Sequence, residues 1–179
     1  MSEQGSAVRD GPGPDALSFA GANAPQRVVR TFAASGPGSW MFARVLHHID
    51  KPIHRITGGR HTLASLLSGL PVVFLTTTGA RSGKRRTVPV LGLPTQEGLA
   101  VIASNYGQVR HPAWYYNLLA NPTGEVTVQG VTRRFRATIA EGQARDRIWQ
   151  EGLRIYPGWS QYERRASHRT IAIFVLGDA

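Results

Sequence analysis

The chain has 179 residues, 41% of them hydrophobic, which supplies apolar surface for one domain core and not for two independent ones. There is no cysteine, so thiol nucleophiles, disulfide scaffolds, Cys-ligated zinc and iron-sulfur clusters are excluded, and chemistry must come from oxygen and nitrogen groups or a bound cofactor. Twenty-one Lys+Arg against 11 Asp+Glu give a formal charge of +10, which favours anionic partners, and because only Lys51 and Lys84 are lysines the excess is arginine, suited to bidentate grip on phosphate and carboxylate.

Residues 1–38 are dominated by Gly, Ala, Pro and Ser with no sustained apolar period, and are expected to be a flexible tail. The opening stretch lacks a basic-then-apolar signal pattern, and no apolar run approaches the roughly 20 residues of a membrane span. The expected location is therefore cytoplasmic. From Trp40, Phe42, Val45, Leu46, Ile49, Ile53 and Ile56 form one helical stripe, opposed by Arg44, His47, His48, Lys51, His54 and Arg55. Pro52 should kink this amphipathic helix and Gly58-Gly59 should end it. Its apolar face fits packing on the domain, or else peripheral contact with an anionic inner membrane face.

Strands follow. Leu70 to Thr78 is apolar and β-branched; the basic loop GARSGKRR (79–86) leads to a strand over Thr87 to Leu93, and a tight turn leads to Leu99 to Ser104. A loop from Asn105 to His111 opens a helix at Pro112 that stops at Asn121-Pro122. Glu125 to Gln129 and Val131 to Ala140 read as a hairpin, Gly142 to Tyr156 as a polar-faced helix, and Thr170 to Leu176 as the last strand. Neighbouring strands joined by short turns imply antiparallel pairing, which disfavours a doubly wound parallel sheet and a helical bundle. Six strands with few helices point to a small barrel flanked by helices.

Three segments carry chemistry. In GARSGKRR, Gly79 and Gly83 permit a tight turn with exposed N–H groups, Ser82 adds a hydroxyl, and Arg81, Lys84, Arg85 and Arg86 concentrate positive charge, a combination suited to an oligoanion. The spacing is not that of a Walker loop, and a solvated charged turn is the bland alternative. In HPAWYYN (111–117), Trp114 could wall a planar ligand, or bury with Leu118 at i, i+4 in an amphipathic helix. In YPGWSQY (156–162), Tyr156, Trp159 and Tyr162 recur at i, i+3 and i+6; Pro-Gly before them and Glu163, Arg164 and Arg165 after them argue for a partly exposed site over core packing. Phenols there could donate protons to a reduced product. The six histidines show no metal spacing, so no metal is expected, and no Ser-His-Asp constellation can be assigned.

Taken together, LTTTGARSGKRRTVPV (75–90), VIASNYGQVRHPAWYYNLLANP (101–122) and YPGWSQYERRASHRTIAIFVL (156–176) resemble the deazaflavin-dependent nitroreductase family, which uses coenzyme F420, over residues 40 to 177 or so. The resemblance implies a mainly β, α+β fold: a split β-barrel of the FMN-binding type forming one domain over residues 39–179, with the amphipathic helix at its N-terminal side. It implies hydride transfer from reduced F420 to a quinone, nitro compound or other conjugated electrophile. By the same resemblance Arg81, Ser82, Gly83, Lys84, Arg86 and Thr87 hold the phosphate and glutamate tail of the coenzyme. Ala103, Ser104 and Asn105, with His111, Pro112 and Trp114, lie beside its ring. Trp114, Tyr156, Trp159 and Tyr162 wall the substrate; within that wall Tyr156 and Tyr162 are the candidate catalytic residues, because a phenol in reach can protonate the product oxygen, a task water could also perform. The chain departs from the family pattern at Ala80, where a basic residue is frequent, at Asn105, where lysine or another side chain is often found, and at Trp159, where tyrosine is common.

The alternatives are an FMN-dependent reductase of the same barrel, whose phosphate suits the same loop, and a non-catalytic protein binding F420 or a fatty acyl ligand. Nucleic-acid binding ranks last, because RNP-like, KH and zinc-finger patterns are absent from the sequence. The expected partners are a small-molecule electrophile and, as a homodimer, a second copy.

Overall fold

The computed structural model describes residues 72–179, so the expected tail over 1–38 and the helix from Trp40 lie outside the described residues. Six strands, β1 (Val72–Thr78), β2 (Arg85–Thr95), β3 (Gly98–Ile102), β4 (Thr123–Val128), β5 (Val131–Ile139) and β6 (Ile173–Asp178), close into a barrel in the order β1-β2-β3-β6-β5-β4. Every pairing is antiparallel, including the β1–β4 contact that closes the ring. Three helices interrupt the strands: α1 (Ala113–Ala120), α2 (Gly142–Ile155) and α3 (Trp159–Arg165). A six-stranded antiparallel barrel with flanking helices is the architecture expected from the strand order. The strand bounds shift by a few residues, most visibly at β2, which begins at Arg85 and so takes Arg85 and Arg86 out of the loop.

Side-chain alternation splits the apolar residues into two cores. Val73, Leu75, Val101, Val126, Phe135, Ala137, Phe174 and Leu176 fill the barrel, joined by Trp114 and Leu118 of α1. The opposite faces of β3 and β6, with Ala100, Ile102, Ile173 and Val175, pack outside the barrel against Ile148 and Trp149 of α2 and Trp159 and Tyr162 of α3. Strands buried on both faces must be apolar throughout, which is why β3 and residues 173–176 of β6 read as apolar runs. β5 has one solvated face, and there Phe135 and Ala137 alternate with exposed Arg134, Arg136 and Thr138.

Antiparallel order also decides where the connections go. β1, β3 and β5 end at one rim of the barrel, where β2, β4 and β6 begin. The β1–β2 loop (79–84), the segment 103–122 with α1, and the segment 140–172 with α2 and α3 therefore all leave from that rim. The other rim carries the short β2–β3 and β4–β5 turns. All three chemistry-bearing segments of the sequence spring from one end of the molecule.

Candidate functional site

The β1–β2 loop is a tight reversal. Gly79 N–H donates to the Lys84 carbonyl (2.9 Å) and Gly83 N–H to the Gly79 carbonyl (2.8 Å). Gly83 sits at φ +63°, a left-handed conformation that costs glycine nothing and strains other residues. The loop is pinned to α1 by Asn117, a buried amide whose Oδ1 accepts from Ala80 N–H and whose Nδ2 donates to Thr77 Oγ1, both at 2.9 Å. With the loop's start fixed, Arg81, Ser82, Gly83, Lys84 and Arg86 stand exposed.

The four cations of this segment are not equivalent. Arg85 is gripped bidentately by Glu125 across β1 on the outer barrel face, and hydrogen bonding to Arg85 holds the Glu125 carboxyl below the usual carboxylate range. Arg81, Lys84 and Arg86 have no carboxylate partner among the described residues. Arg86 lies in register with Thr77, on the strand face opposite Arg85. Thr87, grouped with the coenzyme-binding residues by resemblance, is turned to the outer face, where its hydroxyl meets Thr76 Oγ1 at 2.8 Å.

After β3 the chain makes three consecutive left-handed residues, Asn105, Tyr106 and Gly107, at φ 47°, 55° and 75°. Asparagine tolerates that region better than most residues, and its side chain braces the turn, Nδ2 donating to the Arg110 carbonyl at 2.8 Å. Arg169, from the segment before β6, organises the rest. Its Nη2 donates to the carbonyls of Ser104 (2.9 Å) and Gln108 (3.1 Å), its Nε to Gln108 (3.2 Å), and its Nη1 to Ala103 (3.4 Å). Nη1 also reaches His111 Nδ1 at 3.2 Å. The His111 ring lies flat on Tyr115, 3.9 Å between centroids and 11° from parallel. Burial, and secondarily the Arg169 charge, lower the His111 pKa from its ordinary value.

Trp114 is placed in the barrel core, edge-on to Phe174 at 5.9 Å, with Leu118 beside it. The i, i+4 pair thus plugs the barrel end as an amphipathic helix would. Pro112 stands half-buried at the helix entry.

The aromatic segment differs from expectation. Tyr156, Trp159 and Tyr162 are 4%, 2% and 3% exposed, so the partly exposed aromatic site is corrected to a buried cluster. Pro157-Gly158 does not open the segment to solvent: it folds α3 back beside α2, and a Cβ on Gly158 would collide with the Tyr156 ring at 2.5 Å. The two phenols meet at 2.9 Å, and burial, followed by the neighbouring Tyr156, pushes the Tyr162 phenol well up. Tyr162 also meets Tyr106 edge-on at 6.0 Å, so α3 braces the 105–107 turn from behind.

Asn117 and Arg169 were not singled out in the sequence. Asn117 had a readable signal, an amide among the buried positions Trp114 and Leu118. Arg169, one arginine among nineteen, had none.

The site is thus a barrel rim with a glycine-turned cationic loop and a clamped backbone shelf, the makings of a barrel oxidoreductase that holds an anionic cofactor. Residues 48–178 match the family described as F420H(2)-dependent quinone reductase, and the chain belongs to that family. Coenzyme F420 is the cofactor of such oxidoreductases. The chain is 35% identical over 110 residues to the F420H(2)-dependent quinone reductase Rv1261c of Mycobacterium tuberculosis, covering 59% of this chain and 71% of that one. Among solved structures it is similar to an F420-H2 dependent reductase (FDR-A), at TM-score 0.54 and 36% identity over 59% of this chain and 93% of the other. A second solved relative, described as a domain-swapped dimer, matches at TM-score 0.57 and 31% identity over 79% of this chain and 99% of its own. No helix among the described residues is long and apolar enough to cross a membrane.

Proposed function

We propose that the barrel rim binds F420 through Arg81, Lys84 and Arg86 and positions it for reduction of a quinone or related conjugated electrophile. The observation that carries this reading is a division of labour among neighbouring cations: Arg85 is neutralised by Glu125, while Arg81 and Lys84 on the turn pinned by Asn117, and Arg86 at the start of β2, have no carboxylate partner among the described residues. Such charges, with the Ser82 hydroxyl beside them, suit the phosphate and carboxylates of the coenzyme tail, while the Gly79 and Gly83 amides are used within the turn itself.

When bound, reduced F420 supplies a hydride, so the protein needs no nucleophile of its own. The chain's residues hold and shield. Arg169 fixes the backbone of Ala103 to Gln108 as a rigid shelf at the rim, and His111 and Pro112 border it. Trp114 and Leu118 seal the barrel beneath, which keeps water out of the core. Tyr156 and Tyr162 keep their phenols on each other in the outer core, and with Trp159 they support the shelf from behind. The product oxygen then takes its proton from solvent at the rim.

Homodimer formation is supported by the relative described as a domain-swapped dimer, and sedimentation of the full chain tests it. Peripheral membrane contact is supported by the apolar stripe and basic face over 40–59; pelleting with anionic liposomes, with and without those residues, tests it.

The central experiment titrates F420 into the full chain at low and high salt and then screens quinones and nitroaromatics with reduced F420. Alanine at Arg81, Lys84 or Arg86 is expected to raise the dissociation constant about tenfold or more each, the equivalent of about 1–3 kcal/mol of charge-assisted binding. Affinity that is flat with salt and unchanged in the triple variant overturns the assignment. Binding without turnover of any acceptor makes the protein an F420-binding module.

A further inference from the structure

We propose that Arg169 is a positioning residue that fixes His111 as the Nε2–H tautomer, a single aimed donor for a carbonyl oxygen of the bound ligand. Guanidinium nitrogens only donate, so the 3.2 Å contact from Arg169 Nη1 makes His111 Nδ1 the acceptor. A neutral imidazole that accepts at Nδ1 carries its proton on Nε2. Nε2 has no protein partner among the described residues, so the donor is available at the rim, beside the shelf that Arg169 itself builds.

The lock is stiff on three sides. Arg169 is held by three carbonyls, Ala103, Ser104 and Gln108, and cannot swing away without breaking the turn after β3. The ring cannot rotate freely because it is stacked on Tyr115, and Tyr116 approaches it edge-on at 6.2 Å. The next residue, Pro112, restricts the backbone of His111 to extended conformations.

The groups that face the ring are Arg169 from the segment before β6 and Tyr115 and Tyr116 from α1; no ion pair among the described residues brings a carboxylate to it. Protonating Nδ1 would aim a proton at the guanidinium and end the contact. Burial and the Arg169 charge both act against that protonation. His111 is therefore a fixed neutral donor rather than a proton relay.

A carbonyl oxygen is the complementary group, and both a deazaflavin ring and a quinone carry one. The ligand half of this inference rests on the F420 reading above; the tautomer half does not. The test is nitrogen-detected imidazole spectroscopy on the full-length labelled chain, ligand-free, from about pH 5 to 8. The expected spectrum has a pyridine-like Nδ1 and a pyrrole-like Nε2 for His111 at neutral pH, with protonation displaced to lower pH than in a free imidazole. In Arg169→Met the two signals should average and the protonation midpoint of His111 should move to higher pH, while Arg169→Lys should restore the parent spectrum only in part, because an ammonium lacks the planar fork. An averaged or Nδ1–H spectrum in the parent chain overturns the lock, and needs no variant to fold. Adding oxidised F420, or separately a water-soluble quinone, assigns the acceptor by which of them moves the Nε2 proton. His111→Phe, which keeps the stack on Tyr115, should weaken that ligand about tenfold. A constant tautomer with neither ligand moving Nε2 overturns the donor role, whereas absence of F420 binding in the parent chain overturns the F420 reading alone.

Discussion

Two segments at the same barrel rim treat polarity in opposite ways. The β1–β2 connection leaves Arg81 and Lys84 of the loop and Arg86 at the start of β2 in solvent without carboxylate partners among the described residues, and is held by the buried Asn117 of α1. The α2–α3 segment buries three aromatics and turns its two phenols onto each other. Unsatisfied charge at a fixed position is a binding resource, because its desolvation is offset only when an anion arrives; satisfied polarity in a core is a structural one. The contrast assigns ligand recognition to the loop and support of the site to the aromatic cluster.

That contrast can be broken most forcefully at its anchor. Asn117→Leu leaves Ala80 N–H and Thr77 Oγ1 short of their buried partner, and should cost about 2–4 kcal/mol of unfolding free energy, read by denaturant titration. F420 affinity should fall in the same variant because the loop loses its fixed start. Unchanged stability and affinity would mean that the loop holds itself.

A smaller effect belongs to the phenols. Tyr156→Phe or Tyr162→Phe alone removes one half of a buried hydrogen bond and should cost about 1 kcal/mol, and the double variant should cost less than the two added together, since both partners are then apolar. Turnover with reduced F420 should stay within about threefold of the parent, below the range of general-acid groups. A tenfold or larger loss of turnover with intact coenzyme binding would return the phenols to the role of proton donors and erase the contrast.

The smallest effect sharpens the loop itself. Arg85→Ala removes an exposed ion pair with Glu125 and should leave both the melting temperature and F420 affinity unchanged, while its neighbour Arg86→Ala weakens binding. Measured side by side, the two adjacent arginines separate charge that is free from charge that is spent. Equal loss in both would show that net charge, not position, holds the coenzyme.

Most of the barrel was legible because its signals are local. Runs such as LAVI and IFVL, the glycine turns and the short strand connections specify antiparallel hairpins regardless of what lies across the barrel. The family blocks around GARSGKRR and HPAWYYNL were equally local, and so was the reading of Trp114 with Leu118 as a buried pair. The sequence alone therefore determined the succession of strands and helices along the chain and the basic loop, and its family blocks carried the F420 reading, while the order of strands around the barrel came from the structure. The tertiary structure decided which polar groups find partners. Glu125 lies 40 residues from Arg85, Asn117 40 from Thr77, and Arg169 58 from His111, and no composition or period joins positions so far apart. The aromatic triplet looked exposed because Pro-Gly and flanking charges are turn signals, yet a turn says nothing about the surface it folds onto; the outer faces of β3 and β6 supplied that surface and buried it.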